Sequence, residues 1–206
     1  MSKNDQLDGC ASRLASDREL LVRELREHAL VIGEVTLTSG ARASYYVDAK
    51  RAVLRPLCFL ALGRLIAHHA RRLRATAVGG VPVSAIPVAC AALAGAGQLA
   101  DEDGRGGIEK GFIVRSERKE HGLGRAIEGP PLEAGERCLV VEDVVTTGGS
   151  TVELLRRLED EDVEVAGVVS VLDRLAGGGA AIEAALAGPY VPLATIDDVY
   201  PERPDR

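Results

Sequence analysis

Aromatic residues and long apolar runs are scarce in this chain of 206 residues. Aromatics make up 3% of the sequence and tryptophan is absent, so the core must rest on Ala, Val and Leu, as in tightly packed layers of helix on sheet. No apolar run approaches the roughly 18 residues that span a bilayer, and the first residues, MSKNDQLDG, lack the apolar core of a signal peptide. We therefore expect a soluble, cytoplasmic protein without a membrane partner.

An excess of positive charge and closely spaced cysteines are also missing. The net charge is −6, and no basic patch with interleaved aromatic residues counters it, so we expect no nucleic-acid partner. Cys10, Cys58, Cys90 and Cys138 lie far apart, with no C-x-x-C pair and no histidine nearby in a ligand pattern. Buried or free thiols are the expected state.

Two common phosphate-binding motifs are absent, but a different arrangement is present. The chain contains no G-x-x-x-x-G-K-[ST] for a nucleoside triphosphate, and no G-x-G-x-x-G follows a strand for a dinucleotide. Instead, residues 138–150 (CLVVEDVVTTGGS) lead from an apolar run into two adjacent acids and then a turn rich in glycine and hydroxyl groups. Residues 151–158 repeat their apolar positions at helical spacing, so the turn is predicted at a helix N-terminus.

The turn at Thr146–Ser150, which we name the cradle, suits a phosphate group. Its N–H groups have no intrahelical partner, the helix dipole adds partial positive charge, and its hydroxyls supply further donors. Glu142 and Asp143, which we name the acid pair, would repel a phosphate and instead suit hydroxyl groups or a metal. A ribose 5-phosphate meets both demands. The alternative is an ordinary strand–turn–helix connection with solvated acids.

The rest of the chain divides by pattern into four parts. Residues 1–15 are polar and expected to be a flexible N-terminus, residues 16–55 an N-terminal helix and a hairpin, residues 56–200 the core, and residues 201–206 a tail. A capping box at Ser16–Glu19 predicts a helix that runs through Leu30. Strands are predicted at 34–37 and 44–48 around a Ser39-Gly40 turn, and we name this hairpin the hood.

Strands and helices alternate in the predicted core. A helix should run from Pro56 to about Leu73, and strands are expected near 76–78, 111–114, 137–142, 164–172 and 191–196. This alternation predicts an α/β fold with a parallel sheet covered by helices on both faces. Ligands bind outside the carboxyl ends of such strands, so the loops after Val78, Val114, Asp143 and Leu172 are the candidate walls of a site.

Two further segments have an open interpretation. Residues 109–125 carry net positive charge and contain Gly122 and Gly124, which fits either a lid over an anionic ligand or an ordinary solvated loop. Residues 79–84 (GGVPVS) fit either a close backbone approach to a ligand or a glycine turn before a helix begun by Pro82.

Three segments carry a family resemblance. VVEDVVTTGGS resembles the phosphoribosyl-diphosphate (PRPP) motif of type I phosphoribosyltransferases. Residues 37–48 (LTSGARASYYVD) and 112–122 (FIVRSERKEHG) are similar to the base-recognition segment and the mobile catalytic loop of the orotate phosphoribosyltransferase family. The resemblance extends from about residue 18 to 196. It implies a type I phosphoribosyltransferase fold, with a mostly parallel central sheet and a small N-terminal hood, and Mg²⁺-dependent transfer of ribose 5-phosphate from PRPP to orotate.

The resemblance also implies roles for individual residues. The implied catalytic residues are Lys119, Asp143, Arg115 and His121. The implied PRPP-binding residues are Arg115, Ser116, Lys119, His121, Glu142, Asp143, Val144, Val145, Thr146, Thr147, Gly148, Gly149 and Ser150, and those for orotate are Thr146, Arg174, Tyr45 and Tyr46. Mg²⁺ would be held mainly by PRPP and water rather than by the protein. A homodimer that shares the mobile loop, residues 115–126, between subunits is expected.

Three positions depart from the family pattern. Ser116, Thr38 and Ser84 stand where relatives often carry lysine, which predicts weaker PRPP binding or a heavier dependence on magnesium. Two alternatives stay open: transfer to another base, and a PRPP-binding regulator without chemistry. An acidic pyrimidine is favoured by the hood and Arg174, and the sequence shows no helix-turn-helix or basic RNA-binding face for a regulator.

Overall fold

The computed structural model of the protein describes residues 3–36, 42–99, 107–115 and 127–206. The strands in these ranges are β1 (Leu30–Thr36), β2 (Arg42–Val47), β3 (Ala77–Gly80), β4 (Lys110–Val114), β5 (Ile127–Glu128), β6 (Arg137–Val145), β7 (Glu164–Asp173) and β8 (Tyr190–Thr195). The helices are α1 (Lys3–Glu24), α2 (Lys50–Val53), α3 (Pro56–Leu73), α4 (Ala85–Leu99), α5 (Gly149–Asp160), α6 (Gly178–Ala185) and α7 (Ile196–Val199). A π-helical turn (Leu25–Ala29) joins α1 to β1.

Six strands form the central sheet, in the order β5-β4-β3-β6-β7-β8. All neighbours are parallel except the short edge strand β5, which is antiparallel to β4. The chain runs outward from β3 to β4 and β5 and then returns to the other side of β3 as β6. This reversal makes a topological switch point between β3 and β6, where ligands bind in open α/β sheets. The predicted α/β class and mostly parallel sheet are confirmed.

Helices cover both faces because alternate residues of the strands point to opposite sides. Leu139 and Val141 of β6 pack into the core formed with α1, α3 and α4, whereas Cys138 and Val140 pack into a second core with α5 and α6. The connections to β4 on one side and to β7 on the other run in opposite directions along the sheet, so right-handed crossovers place α4 and α5 on opposite faces. No helix in the described ranges combines the length and apolar character needed to cross a membrane.

The N-terminal helix differs from its prediction. It begins at Lys3 rather than Ser16, and the Ser16 hydroxyl donates a hydrogen bond to the Ser12 carbonyl (3.1 Å) within the helix instead of capping it. Asp17 is 5% exposed and accepts hydrogen bonds from Arg64 of α3. The predicted start at Ser16 is wrong because the polar side chains that resembled a cap make contacts inside the helix and across to α3.

The hood forms an antiparallel hairpin, as predicted, but its first strand is longer. The helix gives way to the π-helical turn at Leu25, so Leu30, predicted to end the helix, already pairs with Val47 as the first residue of β1. Tyr45 and Tyr46 pair with Ile32 and Val31 on the opposite strand. The predicted turn at Ser39-Gly40 lies outside the described residues.

Candidate active site

The acid pair lies at the carboxyl end of β6, beside the switch point. Glu142 is 5% exposed and Asp143 7% exposed. The strand continues to Val145, beyond its predicted end at Glu142, because Val144 and Val145 still pair with β7. Both valines assigned to PRPP by resemblance are therefore strand residues, and the cradle begins immediately after them at Thr146.

Hydroxyl groups surround the carboxylate of Glu142. Oε1 accepts hydrogen bonds from the Ser84 hydroxyl and the Asp143 amide, both at 3.2 Å. Oε2 accepts longer ones from the hydroxyls of Thr151 (3.4 Å) and Ser150 (3.5 Å). Burial raises the pKa of Glu142 to about 7, and the adjacent charge of Asp143 adds to the rise. The site thus contains an acid that gains or loses its proton near neutral pH.

Asp143 has a cationic neighbour that the sequence analysis missed. Lys50 Nζ lies 3.2 Å from Asp143 Oδ2 and 3.2 Å from Asp48 Oδ1, while Asp143 Oδ1 accepts the Val144 amide at 2.7 Å. Burial favours the neutral amine of Lys50, but the two carboxylates outweigh it and raise its pKa above the ordinary value. The D-x-K spacing is the one sequence signal that could have pointed to this residue, since Asp48 ends the predicted strand 44–48 and Lys50 follows it by two residues.

The cradle is held from behind by the start of α6. Gly148 caps α5 with a φ of 75°, and a Cβ atom there would lie 2.7 Å from the Gly178 carbonyl oxygen, so only glycine fits. The Gly178 amide donates to the Thr146 carbonyl at 3.0 Å. In front, Thr147 and Ser150 are exposed to solvent. A fixed helix N-terminus therefore faces an open space next to the acid pair, as a phosphate site requires.

Arg174 lies beside the cradle at the end of β7. Its amide donates to the Val145 carbonyl at 2.9 Å. The alternative of an ion pair with Asp173 is not realised, because Asp173 accepts hydrogen bonds from the Leu175 amide (2.7 Å) and the Tyr190 hydroxyl (2.9 Å). Arg174 Nε is buried and has no hydrogen-bond partner among the described residues. The guanidinium thus retains donor capacity for a ligand.

The two hood tyrosines have different environments. Tyr45 is 2% exposed, its ring lies under the Arg174 guanidinium at 4.8 Å and against the Tyr200 ring at 5.5 Å, and its hydroxyl donates to Asp205 (3.0 Å). Tyr46 is 38% exposed. The structure therefore places Tyr45 as the support of Arg174, whereas Tyr46 is partly exposed to solvent.

Arg115 is the one residue of the predicted mobile loop, residues 115–126, that lies within the described ranges. It forms an ion pair with Glu128 of β5, and its carbonyl accepts a hydrogen bond from Arg157 at 2.6 Å. Arg115 and Ser150 line a small cavity of about 120 Å³ together with Val81. The structure thus places Arg115 next to the cradle. Ser116, Lys119 and His121 of this loop, and Thr38 of the hood, lie outside the described residues.

The GGVPVS segment follows neither of its two interpretations as stated. Gly79 is a buried β3 residue, and a Cβ atom there would lie 2.3 Å from the Phe112 carbonyl oxygen, so this glycine permits strand packing rather than ligand approach. The following helix begins at Ala85, later than the predicted Pro82. Ser84 nevertheless points into the site, where its hydroxyl binds Glu142. Its small side chain supplies a neutral donor to this carboxylate.

A metal ion would find few ligands from the protein. Within residues 3–36, 42–99, 107–115 and 127–206, no group of three or more His, Cys, Asp or Glu side chains converges on one point. The acid pair offers carboxylate oxygens, the ligands that Mg²⁺ prefers, but Mg²⁺ normally completes its shell with substrate phosphates and water. The residues present fit a magnesium ion that arrives with a phosphorylated substrate.

Comparisons with known proteins agree with this geometry. Residues 59–187 match the family model for the phosphoribosyl transferase domain. The chain is 40% identical over 185 residues to the orotate phosphoribosyltransferase of Corynebacterium glutamicum, covering 90% of this chain and 95% of the relative. A solved structure of Mycobacterium tuberculosis orotate phosphoribosyltransferase with Fe(III) dicitrate superposes with a TM-score of 0.73 at 37% identity, covering 89% of this chain and 99% of that one.

The same mycobacterial enzyme has also been solved in complex with PRPP, and that structure superposes with a TM-score of 0.69 at 33% identity, covering 89% of this chain and 98% of the other. The family model, matched over residues 59–187, covers the switch point, the acid pair and the cradle. The chain belongs to the type I phosphoribosyltransferases and, within them, to the orotate phosphoribosyltransferase family.

Proposed function

We propose that this protein is an orotate phosphoribosyltransferase, which converts orotate and PRPP into orotidine 5′-monophosphate and diphosphate. The observation that carries the proposal is the buried acid pair immediately before an open helix N-terminus at the switch point of the sheet. This arrangement suits a ligand with a phosphate at one end and a vicinal diol further along. The relatives at 37–40% identity are named orotate phosphoribosyltransferases, and we take orotate as the acceptor base from those names.

The cradle and the acid pair would bind the sugar. The amides and hydroxyls of Thr146, Thr147, Gly148, Gly149 and Ser150 donate to the 5′-phosphate, and Glu142 and Asp143 accept hydrogen bonds from the ribose hydroxyls. A nitrogen of orotate, its proton released to the solvent, then forms a bond to the anomeric carbon, while the bond from that carbon to the diphosphate oxygen breaks and its electron pair leaves with the diphosphate. Positive charge builds on the sugar, next to carboxylates that stabilise it.

Cations at the loop would stabilise the other half of the reaction. Negative charge collects on the departing diphosphate, so fixed positive groups near it lower the barrier. Arg115 stands beside the cradle for this role, and we propose the same role for Lys119, the expected catalytic lysine, and for His121, with Ser116 contributing a hydroxyl. Magnesium bound with PRPP would supply additional charge neutralisation at the diphosphate.

Recognition of orotate falls to the end of β7 and the hood. Orotate carries a carboxylate, and the guanidinium of Arg174, whose Nε has no hydrogen-bond partner among the described residues, can bind it through two parallel hydrogen bonds. Thr146, adjacent to Val145 and so to Arg174, can donate to the ring, and Tyr46 can cover one of its faces. Tyr45 contributes indirectly by holding Arg174 in place.

We also propose a cytoplasmic homodimer in which residues 115–126 reach the neighbouring site. Large apolar side chains are exposed on the hood and where α2 meets α3: Ile32 is 64% exposed, and Leu54 and Leu57 are 65% exposed. Exposed apolar side chains of this size favour burial against a second copy. The proposal also includes two parts of the chain: an N-terminal helix and hood in residues 16–55 and the phosphoribosyltransferase core in residues 56–200.

An assay of diphosphate release tests the proposed function. Purified protein with Mg²⁺, PRPP and orotate should release diphosphate and consume orotate in equal amounts. Adenine, hypoxanthine and uracil replace orotate in parallel samples. Release with another base and not with orotate would redirect the proposal to that base. PRPP binding without release for any base would indicate a sensor in place of an enzyme.

A further inference from the structure

Lys50 stands at the acid pair without a role in the scheme above. In the described part of the chain, the Lys50–Asp143 contact is the only ion pair that the acid pair makes. The side chain is 38% exposed, so solvent and ligands can reach it. Lys50 is the first residue of α2, two residues after Asp48 and directly behind the hood, whereas Asp143 belongs to the core. The contact therefore joins the hood to the sugar site.

Two carboxylates fix the position of the Lys50 ammonium. Asp143 Oδ2 and Asp48 Oδ1 each lie 3.2 Å from Nζ. Asp48 is itself held by its backbone, whose amide donates to the Ala29 carbonyl at 3.0 Å. Asp48 Oδ1 is buried and makes no hydrogen bond in the described ranges. Its negative charge is therefore balanced by the ion pair with the Lys50 ammonium. An ammonium held from two sides is a fixed charge, not a freely moving surface lysine.

The contact with Lys50 leaves room for a ligand on Asp143. Each carboxylate oxygen has two lone pairs. On Asp143, Oδ1 uses one for the Val144 amide and Oδ2 uses one for Lys50, which leaves one acceptor site on each oxygen. These two sites can accept hydrogen bonds from a pair of neighbouring hydroxyls. Lys50 therefore sets the orientation of the carboxylate without occupying all of its acceptor capacity.

Charge also argues for a cation at this place. Glu142 and Asp143 are adjacent, both are less than a tenth exposed, and their charges repel in a poorly solvated environment. Lys50 offsets part of this repulsion.

We infer that Lys50 is a positioning residue for PRPP binding, which holds the carboxylate of Asp143 directed toward the ribose hydroxyls. This inference rests on the proposed function. It assigns Lys50 to the binding of the sugar, through Asp143, and neither to the diphosphate nor to the base.

The test compares Lys50→Met, Lys50→Arg and Lys110→Met in the full chain. Lys110 is the matched control, because its ammonium also binds a nearly buried carboxylate (Glu136, 2.9 Å), but at the amino end of β4, the opposite edge of the sheet. Calorimetry measures the Kd for PRPP, and steady-state kinetics measure KM for both substrates. Lys50→Met should raise the Kd for PRPP about tenfold and change KM for orotate less than about twofold. Lys50→Arg should restore most of the affinity, and Lys110→Met should leave it unchanged.

A further variant, at Asp48, should cause a smaller loss of PRPP affinity. Asp48→Asn keeps Lys50 but removes the second carboxylate that fixes it, so the Kd for PRPP should rise about threefold, less than in Lys50→Met. An unchanged Kd in Lys50→Met, or the same loss in Lys110→Met, would overturn the role of Lys50 while the wild-type activity stands. Wild-type protein that binds no PRPP would instead overturn the proposed function, and with it this inference.

Discussion

Asp17 and Glu142 are both buried acids, yet the protein holds them in opposite ways. Arg64 binds Asp17 through two short hydrogen bonds of 2.6 and 2.8 Å. Glu142 receives only hydrogen bonds of 3.2 to 3.5 Å from hydroxyl groups and one amide, and no cation among the described residues pairs with it. Its pKa rises to about 7 because burial is not compensated. An acid that is fully paired stabilises the fold, whereas one with weak partners is available to a ligand.

The largest expected effect is on PRPP binding, at Asp143, the neighbour of Glu142 in the acid pair. Asp143→Asn keeps the shape of the side chain but replaces one acceptor oxygen with a donor and removes the charge that Lys50 binds. The Kd for PRPP should rise about 100-fold, as expected when a charged group that touches the substrate is lost. Calorimetry on the purified variant gives the number directly. A Kd within about twofold of wild type would remove Asp143 from the ribose site.

Amide substitutions at the two compared acids should shift stability in opposite directions. The pKa of Glu142 in the folded protein, about 7, exceeds its ordinary value of 4.5, so the stability it contributes is present below pH 4.5 and lost as pH rises through 7. At pH 8, Glu142→Gln should therefore raise the free energy of unfolding by about 3 kcal/mol, the equivalent of that pKa shift. Asp17→Asn should lower it by about 2 kcal/mol, because Arg64 loses its partner.

Urea unfolding at pH 8 and pH 5 measures both changes. The gain in Glu142→Gln should shrink toward zero at pH 5, where the wild-type carboxyl group is already protonated in the folded state. Destabilisation by both variants at pH 8 would show that Glu142 is as well compensated as Asp17, and the contrast between the two acids would be lost.

The acid pair should also make PRPP binding depend on pH. Protonation of Glu142 removes acceptor capacity for the ribose hydroxyls, so affinity should fall as pH drops through 7, by about tenfold between pH 8 and pH 6. Because PRPP itself titrates in this range, Glu142→Gln serves as the reference, and its affinity should vary less. Equal pH dependence in wild type and variant would assign the effect to the ligand.

The smallest effect is expected at the support of Arg174. Tyr45→Phe keeps the ring under the guanidinium but removes the hydrogen bond to Asp205. KM for orotate should rise about threefold, and the Kd for PRPP should stay constant, since a hydrogen bond to the exposed carboxylate of Asp205 is worth about 1 kcal/mol and acts on orotate only through Arg174. A change in PRPP binding instead of orotate binding would mean that the hood acts through the sugar site.

The features that sequence alone predicted are those set by local pattern. Three signals lie close together in the sequence, within residues 138–158: the apolar run before Glu142, the two glycines of the cradle and the helical spacing after Ser150. They predict a strand, a turn and a helix in that order. The alternation of elements gave the mostly parallel sheet, which the structure confirms. Short-range signals of this kind do not depend on how the rest of the chain packs.

The features that sequence missed depend on contacts between distant residues. Lys50 and Asp143 are 93 residues apart, and Tyr45 and Asp205 are 160 apart. The helix start predicted from the capping box at Ser16–Glu19 was wrong for the same reason. The contact of Asp17 with Arg64, 47 residues away, has no local signature in the sequence. The length of β6 was also underestimated, since pairing with β7 carries the strand past the acid pair.

A crystal structure of the protein with PRPP and Mg²⁺ tests the central claim most directly. The account predicts the 5′-phosphate against the amides of the cradle and the ribose hydroxyls within hydrogen-bond distance of Glu142 and Asp143. A phosphate bound elsewhere, or ribose hydroxyls turned away from both carboxylates, would contradict it.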